Sequence, residues 1–311
     1  MFIPSTRCGA CLSLVLVVGM GMSTLASQGS GEAVPSIRVT FLGTGSPAVS
    51  IDRFSACILI EAGPRRLLFD AGRGCLFRLQ QARVDLSSLT SLFITHLHSD
   101  HVLSVPDLIL TGWTQGRKGP LDVYGPTGTK DMITHLVAAY QVDINARVRN
   151  GRLLPQVTVN EVSPGVILNQ DGVLVRAFEV DHGDVAPAFG YRVDAGGRGV
   201  VLSGDTRPSE DLIRAAEGAD VLIHEVALGP ANPTPQQQYV LADHTFPEGA
   251  AEVFRRVKPR LAVYSHIILQ AGATEEEVMA RTRAGYAGRL ELANDLTVVE
   301  IGPEITVSRP R

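Results

Sequence analysis

The chain has little charge. Of its 311 residues 19% are charged, and the formal net charge is −4. No broad basic field is on offer to a polyanion, so any nucleic-acid reading must rest on a local site. Long apolar runs are scarce as well. The one near the N-terminus, Cys11 to Met22, falls short of the roughly 20 residues that a membrane helix needs. Cysteine is sparse, with four in all, and no internal repeat, low-complexity tract or linker divides the chain. With 45% hydrophobic content, there is enough apolar material for a sizeable core.

Arg7 precedes the apolar run, and Thr24 and Ala26 follow it at positions fitting −3 and −1 of a cleavage site. Residues 1–26 are therefore read as an export signal, 27–36 as a Gly/Ser-rich leader and 37–311 as a single domain. The mature protein is expected in the periplasm or outside the cell, with no membrane partner after cleavage. Cys8 and Cys11 would leave with the signal. An exported protein could pair Cys57 with Cys75, but the sequence leaves two separately buried thiols equally open.

Alternating apolar patterns predict strands over Ile37 to Gly43, Ala56 to Glu61, Arg66 to Asp70, Ser91 to Thr95, Leu121 to Tyr124, Val157 to Val162, Val173 to Val180, Ala188 to Val193, Gly199 to Ser203, Val221 to Glu225 and Leu261 to Ser265. Helical spacing predicts Cys75 to Val84, Val105 to Gly116, one long helix over Thr129 to Val148, then Asp211 to Ala216, Pro247 to Val257 and Thr274 to Tyr286. A β-rich half with helices, repeated once, predicts an α/β fold of two facing sheets with helices outside.

The histidines are concentrated. Thr95 to His101 holds His96, His98, Asp100 and His101 directly after a predicted strand. In extended backbone i and i+2 point the same way, so His96 and His98 can converge on one cation. Asp100 and His101 follow once the chain turns and can face a second. Imidazole with carboxylate is a donor set for zinc, with manganese or iron as alternatives. Further on, His182, Asp205 and His266 each end a predicted strand in a small-residue turn, where α/β folds place sites.

Together these motifs resemble the metallo-β-lactamase superfamily, and within it the ribonuclease Z-like and arylsulfatase-like branch. The resemblance rests on Phe41 to Pro47, Leu67 to Gly72, Thr95 to His101, Val123 to Pro126, His182 with Gly190-Tyr191, Ser203 to Thr206, His224-Glu225, His244-Thr245 and His266, in family order. It implies a four-layer αββα sandwich with two mixed sheets. It also implies two zinc ions, one held by His96, His98 and His182, the other by Asp100, His101 and His266, with Asp205 bridging. A bridging hydroxide would attack, Asp100 would accept its proton, and His244, oriented by Glu225, would protonate the leaving oxygen. Asp70 is expected either to orient a ligand or to cap the end of its strand, and His224 to be a buried neighbour. Two dications less two carboxylates and a hydroxide leave a local charge of about +1, which favours an anionic substrate.

Departures from the family pattern shape the substrate expectation. Only Arg192 to Leu202 separates Gly190-Tyr191 from Ser203, enough for a hairpin but not for the arm that grips tRNA in processing enzymes. With the export signal and negative charge, the expectation is a small anionic ester, first a phosphodiester, then an aryl sulfate, with lactones and β-lactams behind. Nucleic acid is not expected, and a homodimer is left open. A non-catalytic metal-binding module is the reading from another class. The presence of every ligand and of the donor pair weighs against it. Trp113, Asp184 and Phe189 are expected near the cleft.

Overall fold

The structure, a computed structural model, describes residues 37–309. The expected signal peptide and leader lie outside the described residues. In chain order the first half runs β1 (Ile37–Gly43), β2 (Cys57–Ala62), β3 (Arg65–Phe69), α1 (Cys75–Gln81), β4 (Ser91–Phe93), α2 (Ser99–Val102), α3 (Val105–Thr114), β5 (Leu121–Gly125), α4 (Thr129–Ala139), α5 (Gln141–Arg149) and β6 (Val157–Glu161). The second runs β7 (Gly165–Gln170), β8 (Val173–Val180), β9 (Ala188–Ala195), β10 (Arg198–Leu202), α6 (Glu210–Ala215), β11 (Val221–Leu228), α7 (Pro235–Ala242), α8 (Pro247–Val257), β12 (Leu261–Leu269), α9 (Glu275–Gly285), β13 (Leu290–Leu292), β14 (Val298–Ile301) and β15 (Ile305–Ser308).

Side-chain parity builds the layers. In β2, Ile58, Ile60 and Ala62 join a core shared with Val221, Ile223, Leu261 and Val263 of the other sheet. Cys57 and Leu59 point the opposite way, onto Cys75 and Leu79 of α1 and Leu108 of α3. In β12, Ala262 and Tyr264 turn outward to Phe254 of α8 and Val278 of α9. Each sheet is thus apolar on both faces, which requires helices outside as well as a partner sheet inside. Each large side chain so buried contributes roughly 1.5–3 kcal/mol. The result is the expected αββα sandwich. One sheet has the order β15-β14-β1-β2-β3-β4-β5-β6, the other β13-β12-β11-β10-β9-β8-β7. Both are mixed: β3 to β6 and β10 to β13 are parallel, and the remaining neighbours antiparallel.

Three features depart from the sequence expectations. The long helix is two, because Tyr140 N–H bonds back only three residues, to Val137 O at 3.2 Å, and tightens the turn before α5. The strand expected to stop at Ser265 continues to Leu269, past a bulge. His224 pairs with Tyr264 and Val226 with Ile267, so β12 spends one extra residue there. α7, capped by Thr234 and Gln237 around an N-terminal Pro235, was not foreseen. Cys57 and Cys75, left open by the sequence, form a disulfide between β2 and the start of α1. Among the described residues no helix is long and apolar enough to cross a membrane.

Candidate metal centre

β4 ends at Phe93, and the chain leaves it extended until His98, whose backbone (φ −63°, ψ 148°) caps α2. The expected geometry follows. His96 and His98 project from the extended run, and Asp100 and His101 from the first turn of α2. The loop closes tightly on its neighbour: Ala71 N–H donates to His101 O at 2.8 Å, and a Cβ on Gly72 would lie 2.1 Å from Asp100 O. Only glycine permits that approach.

The far sheet supplies the other groups. His182 follows β8, Asp205 follows β10, and His266 sits in the β12 bulge with a left-handed backbone (φ 49°). That conformation costs a non-glycine residue about 1–2 kcal/mol. It turns the imidazole to Asp100, whose Oδ2 lies 3.1 Å from His266 Nε2. His182 Nε2 lies 3.3 Å from His98 Nδ1. Asp205 Oδ2 stands between the groups, 3.3 Å from His101 Nε2, 3.4 Å from His266 Nε2 and 3.8 Å from His96 Nε2. Donor atoms of His96, His98 and His182 cluster within 4.8 Å of one another, as do those of Asp100, His101 and His266, and of His96, His101 and Asp205.

The residues fit cations. His96 Nε2 and Asp205 Oδ1 are fully buried yet have no hydrogen-bond partner among the described residues, a costly arrangement unless something else satisfies them. Burial, with His101 close by, holds the His96 imidazole well below its ordinary pKa and so in the neutral, ligating form. Burial also opposes charge on Asp205, but the His266 and His101 imidazoles hold its carboxyl well below the usual range. Tautomers are set from behind. His182 Nδ1 donates to Asp243 O at 3.0 Å and His101 Nδ1 to Asp70 Oδ2 at 2.8 Å, which leaves each Nε2 facing the cluster. Asp70 Oδ1 also accepts from Thr95 N–H at 2.8 Å. Asp243 and Thr95 were not singled out from the sequence, because carbonyl and hydroxyl partners carry no spacing signature.

His98 is the exposed member, so the cluster opens on its side. His244 stacks beside the cluster, with ring centroids 5.0 Å from His182 and 5.9 Å from His266. Its Nδ1 lies 3.3 Å from Glu225 Oε1, an oxygen that also accepts from Thr245 N–H at 2.9 Å. Burial would lower the His244 pKa, but the Glu225 carboxylate prevails and raises it to about 9. His224 is buried against Phe254, as expected of a neighbour. Two residues expected at the cleft are elsewhere: Phe189 belongs to the core between the sheets, and Trp113 lines a separate cavity at the end of α3.

Residues 65–267 match the Beta-lactamase superfamily domain. A Ribonuclease Z of Mycobacterium sp. (strain KMS) is 37% identical over 280 residues, spanning 87% of this chain and 98% of the relative. A Ribonuclease Z of Mycobacterium avium (strain 104) is 38% identical over 276 residues, spanning 85% and 98%. Among solved structures, human tRNase Z, short form, aligns with a TM-score of 0.65 at 24% identity over 85% of this chain and 99% of its own, a likeness of fold. These relatives overturn two expectations, the small anionic ester as substrate and the exclusion of nucleic acid. The β9–β10 hairpin is as short as expected, turning at Gly196 and Gly197, but it excludes an arm at that place only. Net charge is a sum over the whole surface and says nothing of one cleft.

Proposed function

The chain belongs to the metallo-β-lactamase superfamily, in its ribonuclease Z-like branch, and on that premise we propose that it is a metal-dependent phosphodiesterase whose substrate is tRNA. The observation that carries this reading is the end-to-end match to proteins named Ribonuclease Z, at 37% identity over 98% of the relative's length.

In this reading His96, His98 and His182 would hold one divalent cation and Asp100, His101 and His266 a second, with Asp205 available as a further ligand. Zinc suits the imidazole-rich donors, with manganese or iron as alternatives. Such cations supply Lewis acidity, offsetting phosphate charge and making water reactive near pH 7. The chain's own groups do the rest. The Asp100 carboxylate is placed to take the proton of the attacking water as the new P–O bond forms. His244, held by Glu225, delivers a proton to the oxygen that departs as the old P–O bond breaks. Asp70 and the Asp243 carbonyl keep the His101 and His182 rings aimed. His98, the exposed member of the cluster, marks the side from which the substrate would approach.

The test is incubation of the zinc-loaded protein with tRNA transcripts carrying extra nucleotides at either end, with and without chelator. Discrete cleavage that stops with chelator and returns with zinc supports the reading. Intact transcripts alongside metal-dependent hydrolysis of bis(p-nitrophenyl) phosphate would overturn the tRNA assignment and keep only the phosphodiesterase.

A further inference from the structure

Outside the metal centre, a cavity of about 300 Å³ lies at the C-terminal end of α3, between the turn after that helix and the segment before β6. Its wall carries Arg117, Lys118 and Arg152 and no acidic residue. Among the described residues the two arginines donate only to backbone carbonyls. Arg117 Nη2 reaches Leu108 O at 3.1 Å and Leu86 O at 3.4 Å, and Arg152 Nη1 reaches Trp113 O at 3.0 Å. Arg117 Nε is buried with no partner among the described residues. Burial, with no carboxylate opposing it, lowers the Arg117 pKa to about 10. A cation drawn out of water without a counter-charge is costly and favours an anion.

The chain makes room for this arrangement. A Cβ on Gly112 would lie 2.0 Å from Arg117 Nη2, so glycine in mid-helix lets the guanidinium fold back across α3. That glycine costs the helix about 1 kcal/mol. Beside the cations two leucines are exposed above a buried tryptophan. The Arg152 guanidinium lies 5.5 Å from the Trp113 ring, Trp113 Nε1 donates to Leu153 O at 2.8 Å, and Leu153 and Leu154 are 79% and 60% exposed. Inorganic phosphate would engage the cations and leave this apolar rim wet. A nucleotide uses both.

We propose that this cavity binds a single-stranded segment of nucleic acid, with Lys118 and Arg152 meeting its phosphates and the exposed Leu153 and Leu154 taking the face of a base, while Trp113 stays buried beneath Arg152. The assignment rests on the nucleic-acid reading above and adds a second point of contact to it. α3 starts just after His101 and its ten residues span about 15 Å, the length that an RNA strand engaging both sites would have to cover.

Trp113 is the chain's single tryptophan and lies in the wall of this cavity against Arg152, so its emission reports a change there. Zinc-loaded full-length protein is titrated with a short single-stranded RNA and, separately, with inorganic phosphate. The expected result is a saturable emission change with RNA that phosphate does not reproduce. In K118A/R152A, whose substituted side chains are exposed, apparent affinity falls about tenfold. The slope of log affinity against log salt shrinks by about 1.4, from about 0.7 for each of two lost phosphate contacts. Hydrolysis of bis(p-nitrophenyl) phosphate, too small to bridge the sites, stays unchanged. No emission change while tRNA is still cleaved overturns the cavity and spares the proposed function. A variant-sensitive change with no RNA cleaved does the reverse. A change that K118A/R152A leaves intact, or that phosphate alone reproduces, also overturns the nucleic-acid assignment.

Discussion

Asp70 Oδ2 stands 2.8 Å from His101 Nδ1, while the other oxygen of the same carboxylate accepts the Thr95 N–H at 2.8 Å. One buried side chain thus aims a ring and pins the loop that carries it. Asp70 itself has a left-handed backbone (φ 56°), which aspartate tolerates better than most residues. Asp70→Asn keeps the acceptor for Thr95 but can turn an amide N–H toward His101. The expected outcome is a 10- to 100-fold loss of affinity for the more weakly held metal, read by chelator competition, with the fold retained. Unchanged affinity would mean that the His101 ring needs no carboxylate behind it.

His244→Ala should lower turnover on a phosphodiester with a poor leaving group by about 10²- to 10⁴-fold while metal content holds. The loss should be smaller with a nitrophenolate, which departs without a proton. Full activity on the poor leaving group would remove His244 from the role of proton donor.

Chelation should unfold the protein more easily. Cations that bind only the folded chain add about 4.1 kcal/mol when present at a thousand times their Kd. The melting temperature should therefore fall with chelator and recover with zinc, in a differential scan. A melting temperature indifferent to both would argue against metal at this cluster.

The alkaline limit has a defined source. Tyr191 is wholly buried between the sheets, where burial and then the Asp70 charge push its phenol well above the ordinary value, and its hydroxyl donates to Ile94 O at 2.7 Å. Because the folded pKa is raised, the stability is fully present below the unfolded pKa of about 10 and is lost as pH rises beyond it. Tyr191→Phe should cost about 1 kcal/mol at pH 8 for the lost hydrogen bond. Above pH 10 the wild type alone should lose about 1.4 kcal/mol per pH unit from this group, so the two stabilities converge near pH 11. Parallel curves from denaturant melts would remove Tyr191 from the alkaline transition.

Much of this was legible because strands and helices write their period into the sequence. The order of strands and helices, a β-rich half with helices repeated once, placed the layers, and His96 with His98 declared a common direction by being two apart in an extended run. The rest turns on backbone choices that no residue announces. Nothing at Tyr140 breaks a helix in the way proline or glycine would, so the division between α4 and α5 was hidden. At His266 the extra residue reverses parity: Tyr264 and Ile267 face the same outer core although three apart. The pairing of Cys57 with Cys75 depended on α1 lying over the outer face of β2, which only the folded sheet reveals. The substrate reading failed for a different reason. A short hairpin is informative about one position, whereas contact with RNA can be built at another, such as the basic and unpaired wall beside Trp113.

Asp100, on α2 after β4 of the first sheet, and His266, in β12 of the second, meet although 166 positions apart in the chain. Neither sheet by itself assembles the donor set, so a half-formed chain, however helical or pleated, has no high-affinity place for a cation. Contacts this remote in sequence are among the slowest to form. The complete donor set therefore marks a chain whose two halves have closed in register, and full metal affinity reads out that closure.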